Sequence, residues 1–250
     1  MVQKIKRRSV FFLVLFSILF ILSIIVSFKS RYYTGSHLIL ALDNNENVTV
    51  ENTYEEKNKV LELREKYQND EIVGNVMIEG TNIDEAILKH NDNDYYLHHD
   101  NYGNYEINGS IFLDHRINLD DRKVLIFGHS SIYEDIPFNE LEKYYSYDFY
   151  KEHKYITLTT ENDEYVYEIF SVYVETSDFT YMNLRISDDT YNQYLKDYKR
   201  KSLYDTGVSI SDNSEVIILQ TCSNDNRYQG KKRYLLVIGK KIFEEGYNER

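Results

Sequence analysis

The chain is poor in cysteine and in basic residues, and each shortage excludes some classes of function. It has one cysteine among 250 residues, which excludes an internal disulfide framework and a cysteine-rich zinc site. Its 29 lysine and arginine residues are outnumbered by 41 aspartate and glutamate residues, for a net charge of −12. Because nucleic-acid binding needs clustered basic side chains, this balance argues against a nucleic-acid partner.

Apolar residues are abundant enough for a folded core. They make up 42% of the chain and include 25 tyrosines and 12 phenylalanines, which excludes a disordered acidic chain. Residues 1–31 hold six bases and no acid, so residues 32–250 have a net charge of −18. We interpret the acidic balance of this larger part as a solubility feature.

The first thirty residues predict a membrane anchor. Residues 9–28 form an uncharged run of about 20 residues, the length that crosses a bilayer. Because most of the flanking bases precede this run, we expect a cytoplasmic tip at residues 1–8 and an extracellular remainder. The alternative is a cleaved signal peptide, but such peptides have a shorter apolar region and a small-x-small cleavage site, which is missing after Phe28.

Behind the anchor we expect a stalk at 29–50, a helical region at 51–70 and one domain at 71–250. Within the helical region, the helix itself is predicted over residues 51–68. Short apolar runs between Asn, Asp and Gly clusters predict strands, at Ile72–Ile78, Ala86–Leu88, Tyr95–Leu97, Ser110–Leu113, Val124–Phe127, Tyr155–Leu158, Tyr165–Val174, Val216–Leu219 and Tyr234–Ile238. Two helices interrupt them, one with Asp135 as N-cap before Pro137 and one over residues 188–201. Many short strands with few helices predict a mainly β fold, a mixed β-barrel with helical insertions.

Cys222 follows an apolar run that predicts a buried strand, so its thiol lies where a strand end meets a cleft. The alternative is a small buried hydrophobe. A catalytic thiol needs a proton partner and an oxyanion stabiliser. His129, at the tip of another apolar strand, is the candidate partner, although a loop histidine without a role would look the same.

Arg233 opens the last predicted strand and is the candidate oxyanion donor, if that strand pairs beside the strand of Cys222. The alternative is an ordinary edge arginine, and Arg227, Lys231 and Lys232 compete for the role. His98-His99-Asp100 and Asp114-His115 lack the spacing of a zinc site. We interpret them as solvated loop residues and expect neither a metal nor a cofactor.

The order of His129, Thr221-Cys222 and Arg233 behind an N-terminal anchor resembles the sortases, cysteine transpeptidases that fix surface proteins to the Gram-positive cell wall. Their Leu-x-Thr-Cys signature corresponds to Leu219–Cys222, and an arginine follows 11 residues later. Further features resemble class B sortases: residues 94–97, 109–116 and 127–129, the helical region at 51–68 and the helix at 188–201.

The resemblance implies an eight-stranded β-barrel with the site in a groove. Cys222 would attack a Thr–X bond in the C-terminal sorting signal of a surface protein and form a thioester. An amine of the peptidoglycan precursor would resolve it, with His129 moving the protons and Arg233 holding the oxyanion.

The resemblance also implies substrate contacts, with less support from the sequence. Class B members often have Ser at the position of Gln220 and an acid at that of Ser223. A loop aromatic and a gap-filling methionine are the alternative interpretation of residues 181 and 182. The substrate-binding candidates are Asn93 (or Asn91), Leu97, Tyr181, Met182, Thr221 and Ser223.

Three other functions were compared with this one. A papain-like peptidase has its cysteine before its histidine, the reverse of the order here. An L,D-transpeptidase has a Ser-x-Gly-Cys-x-Arg element, whereas Gln220-Thr221 precedes Cys222. A non-catalytic, membrane-anchored binding module stays open at this point.

Overall fold

The computed structural model describes residues 58–228, residue 230 and residues 232–246, with side chains up to residue 243. The predicted tip at 1–8, span at 9–28, stalk at 29–50 and first part of the helical region lie outside the described residues, as does Lys231. None of the helices found among residues 58–246 has the length and apolar character that crossing a bilayer requires.

Eight strands close into a barrel in the order β1-β2-β3-β4-β7-β8-β6-β5. The β2–β3 and β4–β7 pairs are parallel and the other pairs are antiparallel. This arrangement confirms the predicted eight-stranded mixed barrel. The strands are β1 Ile72–Met77, β2 Asp84–Leu88, β3 Phe112–Leu113, β4 Lys123–Phe127, β5 Tyr155–Thr159, β6 Asp163–Glu175, β7 Val216–Cys222 and β8 Tyr234–Gly246.

The parallel pair β4–β7 lies in the most buried part of the barrel. All five residues of β4 and the first four of β7 are buried. Both strands are near-continuous apolar runs, the pattern of strands covered on both faces. This buried pair therefore gives the residues that follow each strand a rigid base.

Helices connect the strands. Helix α3 has the predicted bounds, and the Ser187 hydroxyl caps it by accepting from the Thr190 amide. The α-helices are α1 Lys59–Tyr67, α2 Tyr147–Glu152 and α3 Asp188–Lys201, and the 3₁₀ helices are Tyr95–Leu97, Pro137–Tyr145, Thr180–Met182 and Asn226–Tyr228. Helix α2 was not predicted.

Three local predictions were wrong. Residues 95–97 form a 3₁₀ turn rather than a strand, because the Asp92 carboxylate accepts from two backbone amides at its start. The helix predicted to run without a break over 51–68 is interrupted at Asn58, which has a non-helical backbone and caps helix α1. Residues 51–57 lie outside the described residues. The predicted N-cap Asp135 does not hold that position. The N-cap position of the helix Pro137–Tyr145 is Ile136, whose extended backbone is the conformation that a following proline imposes.

Tyr191 of α3 holds the entries of β4 and β7 together. Its buried hydroxyl lies 2.9 Å from the Arg122 carbonyl and 2.8 Å from the Ser214 carbonyl. Arg122 directly precedes β4, and Ser214 lies two residues before β7. The single phenol proton therefore lies between two backbone acceptors at the start of the buried parallel pair, and the Arg122 carbonyl also accepts from the Val216 amide.

We expect Tyr191→Phe to lower the free energy of unfolding by about 1–3 kcal/mol, because it removes the donor of the buried Ser214 carbonyl, while the Arg122 carbonyl keeps the Val216 amide. Urea denaturation measures the change. Tyr133→Phe is the matched control, since Tyr133 is 90% exposed. Equal stabilities of the two variants would contradict this role for Tyr191.

Candidate active site

The parallel register of β4 and β7 brings the two predicted catalytic residues to one end of the barrel. Phe127 pairs with Gln220 at the end of the ladder. The Gly128 amide extends the ladder by donating to the Gln220 carbonyl at 3.1 Å. His129 and Cys222 each stand two residues beyond the last register pair, so the topology places them at the same edge.

Gly128 lets the chain leave β4 at this point. A side chain there would clash with the ring of Phe138, which is buried under the turn. The close approach of the helix Pro137–Tyr145 thus requires glycine immediately before His129.

Cys222 is the last residue of β7 and is exposed. It stands opposite Tyr234 of β8. Partial burial raises the pKa of the Cys222 thiol, and the positive charge of Arg233 opposes this shift. Burial has the larger effect, so the thiol form predominates at neutral pH.

Arg233 is the basic residue that the structure brings to Cys222. It pairs with Ser223, the neighbour of Cys222: the Ser223 amide donates to the Arg233 carbonyl at 3.1 Å. The Arg233 Nε in turn donates to the Ser223 carbonyl at 2.6 Å. Of its described competitors, Lys232 is exposed and the exposed Arg227 is paired with Asp225 at 2.5 Å, whereas Arg233 is the charge that acts on the Cys222 thiol.

The imidazole of His129 is oriented by a backbone carbonyl. Its Nε2 lies 3.0 Å from the Leu97 carbonyl oxygen. Because a carbonyl only accepts, Nε2 carries a proton, and Nδ1 of the neutral ring is left as the basic nitrogen. Gly109 supports this arrangement, since a side chain at its φ of +56° would clash with the carbonyls of Tyr96 and Leu97.

Polar contacts that the sequence analysis missed join the loops around Cys222. The Ser130 hydroxyl donates to the Cys222 carbonyl at 2.7 Å. The Asn224 side chain donates to that same hydroxyl oxygen at 3.2 Å. The Asn224 amide donates to Glu142 at 2.7 Å, so the helix Pro137–Tyr145 fixes the turn after the cysteine. These partners are separated by 82 to 94 residues in the chain, and no local motif marks them.

The substrate candidates near Cys222 differ in exposure. Thr221 is fully buried, and its hydroxyl lacks a hydrogen-bond partner within the described part of the chain. Ser223 is 3% exposed, and its hydroxyl lies 2.7 Å from that of Tyr145. Tyr181 is fully buried and donates to the Gln220 side chain at 2.7 Å. These side chains therefore form the support of the site rather than its open surface.

The remaining candidates are more accessible. Met182 and Leu97 are half-buried at the rim of the core. Asn93 is half-buried and accepts from the His115 amide at 2.9 Å, whereas Asn91 is exposed. A polar cavity of about 560 Å³ opens beside Met182 and extends along residues 183–186.

Asp114, which we interpreted as a solvated loop residue, is fully buried. Its carboxylate accepts from the Arg116 guanidinium at 2.6 and 2.8 Å. Although burial opposes it, this pairing holds the pKa of Asp114 below its usual range. Within the described ranges, no group of three or more His, Cys, Asp and Glu side chains is placed to hold a metal ion.

Comparison with known proteins gives consistent matches. A family model described as the sortase domain matches residues 76–241. Sortase B of Listeria monocytogenes is 36% identical over 186 residues, 72% of this chain and 74% of that protein. The X-ray structure of Clostridium perfringens sortase B has a TM-score of 0.65 at 30% identity, with 73% of this chain and 99% of that chain covered. A Staphylococcus aureus sortase B–substrate complex has the same TM-score at 28% identity, with 73% and 84% covered.

Iodoacetamide reacts only with the thiolate form of cysteine. We therefore expect the rate of Cys222 alkylation to reach its midpoint at a higher pH than that of an ordinary thiol. Arg233→Ala moves the midpoint of this pH profile further up, since it removes the charge that favours the thiolate. Arg227→Ala is the matched control, because Arg227 is exposed and paired with Asp225. Mass spectrometry at a series of pH values gives the rates, and a larger shift in the control would reject Arg233.

Proposed function

Because the chain belongs to the sortase family and to its class B, which consists of cysteine transpeptidases, we propose that it cleaves a Thr–X bond in C-terminal sorting signals. It then joins the new acyl end to an amine of the peptidoglycan precursor. The observation that carries this proposal is the exposed thiol of Cys222 at the end of β7, beside Arg233 and joined to the His129 loop through Ser130.

In the first half-reaction the Cys222 sulfur bonds to the carbonyl carbon of the threonine. The carbonyl electrons move to its oxygen, and Arg233 stabilises this oxyanion. Collapse of the tetrahedral species breaks the Thr–X bond and leaves a thioester. The leaving amine takes a proton, which we assign to Nδ1 of the imidazolium of His129, since Nε2 is bound to the Leu97 carbonyl.

In the second half-reaction an uncharged amine attacks the thioester carbonyl and gives its proton to Nδ1 of His129. The second tetrahedral species collapses with loss of the Cys222 sulfur, so an amide forms and the thiol is regenerated. The raised thiol pKa supports a resting state in which Cys222 is largely a neutral thiol. Only the minority thiolate–imidazolium form then begins the cycle.

We assign the substrate groove to the surfaces of Leu97 and Met182 and to Asn93, which are accessible in part. Thr221 is fully buried next to the nucleophile, so we assign it to the support of the groove rather than to its surface. Tyr181 and Ser223 support the groove from its buried side, through hydrogen bonds to Gln220 and Tyr145. The S. aureus sortase B has been solved as a complex with substrate, which supports substrate binding by a similar fold.

The family match argues against the L,D-transpeptidase alternative. A non-catalytic binding module needs no free thiol beside a guanidinium, and such an arrangement at a strand end favours catalysis.

We expect the full chain, purified in detergent, to cleave peptides with a Thr–Gly or Thr–Asn scissile bond and to transfer the acyl part to triglycine. Cys222→Ala and His129→Ala abolish both products, because they remove the nucleophile and the proton carrier. Arg233→Ala lowers kcat/KM by about 10²–10³, the usual effect of losing an oxyanion donor. Mass spectrometry identifies the acyl-enzyme and the products.

The matched controls are Arg227→Ala and His153→Ala. Arg227 is paired with Asp225, and His153 caps the end of α2. Cleavage that persists in Cys222→Ala would reject the thiol mechanism. If the wild-type chain cleaves no such peptide, the sorting-signal proposal is wrong.

We also propose that the enzyme is anchored in the cell membrane with its catalytic domain outside, on the basis of the uncharged residues 9–28 and the bases before them. We expect the full chain to sediment with membranes and a form that begins at residue 32 to stay in the supernatant. In intact protoplasts, external protease digests the catalytic domain of the full chain. Protection of that domain until the protoplasts are lysed would contradict the orientation.

A further inference from the structure

The segment after Met182 connects a 3₁₀ helix to α3 and is held by side chains rather than by a strand ladder. Lys123 Nζ donates to the Asn183 carbonyl at 2.5 Å. The guanidinium of Arg116 donates to the Met182 carbonyl at 3.3 Å. We call this segment, residues 182–186, the rim loop, because it walls the polar cavity beside Met182.

A third cation completes the pattern. The guanidinium of Arg122 donates to the Ile186 carbonyl at 3.3 Å. Arg116, Arg122 and Lys123 all come from the connection that ends in the first residue of β4. Three cations from one short stretch thus bind three carbonyls of one loop, and we call these three residues the clamp.

The two arginines of the clamp have partners besides the rim loop. Arg116 is paired with the buried Asp114. Arg122 is paired with Asp188 at 2.6 Å and lies over the ring of Tyr191 at 4.2 Å. Their positions are therefore fixed by the barrel and by α3 as well as by the loop.

Lys123 differs from the arginines, because it is only 4% exposed and its ammonium donates to the Asn183 carbonyl. Burial, together with the charges of Arg122 and Arg116, lowers its pKa to about 8. Asp114 opposes the shift, and Asp188 faces Arg122 from α3. The lysine is charged below this pKa, so the charged hydrogen bond to the loop weakens as the pH rises through about 8.

We propose that Lys123 is a positioning residue for substrate: it fixes the rim loop, and so the Met182 side chain, in the geometry that receives the sorting signal. This inference rests on the proposed function in one respect, namely that Met182 contacts the peptide. The lysine lies at the entry of β4, the opposite end of that strand from His129, and it acts on binding rather than on the chemical step.

The first test follows peptide cleavage by the full chain between pH 6 and 9. We expect KM of the wild type to rise several-fold above pH 8. At each pH, we expect kcat of the wild type and of the Lys123 variants to be nearly equal. Lys123→Met, close in length and without charge, raises KM about tenfold at pH 7, since a hydrogen bond to a charged group typically contributes a factor of that order. Lys123→Arg keeps the charge at high pH, so its KM stays flat.

The second test reads the loop itself and needs no activity. Arg185 is the exposed basic residue of the rim loop, so brief digestion with trypsin reports how often this loop opens. At the same pH, we expect cleavage after Arg185 to be several-fold faster in Lys123→Met than in the wild type. Lys196→Met is the matched control in both tests, since Lys196 is exposed on α3 and paired with Asp212.

The two tests separate the possible failures. Unchanged trypsin cleavage in Lys123→Met overturns the clamp, and faster cleavage with an unchanged KM overturns the positioning role. A fall in kcat at constant KM overturns it as well. If the wild type cleaves no sorting peptide but the loop opens faster in Lys123→Met, the proposed function fails while the clamp stands.

Discussion

The parallel pairing of β4 with β7 is the constraint on which the site depends. It sets Phe127 against Gln220, and every later contact between the two loops follows from that register. A slip of one residue would turn the side chains of one strand to the opposite face of the sheet. Close packing on both faces of the two strands opposes such a slip, because each side chain fits its own buried neighbours. The core of the barrel therefore specifies the geometry of the catalytic residues.

Two opposed effects act on the thiol of Cys222. Burial disfavours the thiolate, while Arg233 favours it, and burial is the stronger. A guanidinium that fully ionised the thiol would also be neutralised by it, and would then bind a developing oxyanion less well. In the proposed reaction, a largely protonated thiol leaves the charge of Arg233 available for the transition state. The Ser223 carbonyl that binds its Nε fixes the guanidinium at the edge of β8.

The sequence predicted well those features that depend on local patterns. Apolar runs located β4 and β7, and the predicted bounds of α3 are those observed. The failures have physical causes: the side chain of Asp92 competes with strand pairing and turns residues 95–97 into a 3₁₀ helix. The hydrogen bond from Ser130 to the Cys222 carbonyl spans 92 residues, and only the register of two parallel strands creates it. The buried state of Asp114 likewise depends on packing that its neighbours in the chain do not reveal.

Backbone groups that no strand partner satisfies must find other donors, and this requirement shapes the substrate side of the molecule. The connection from β6 to α3 lies beside the barrel, so its carbonyls at 182, 183 and 186 accept from Arg116, Lys123 and Arg122. Long basic side chains can donate to such carbonyls where no neighbouring strand does. They thereby link the position of the rim loop to the connection between β3 and β4. Because that connection leads directly into β4, the same strand carries His129 at one end and the supports of the rim loop at the other. The rim loop and His129 are therefore positioned by one buried element.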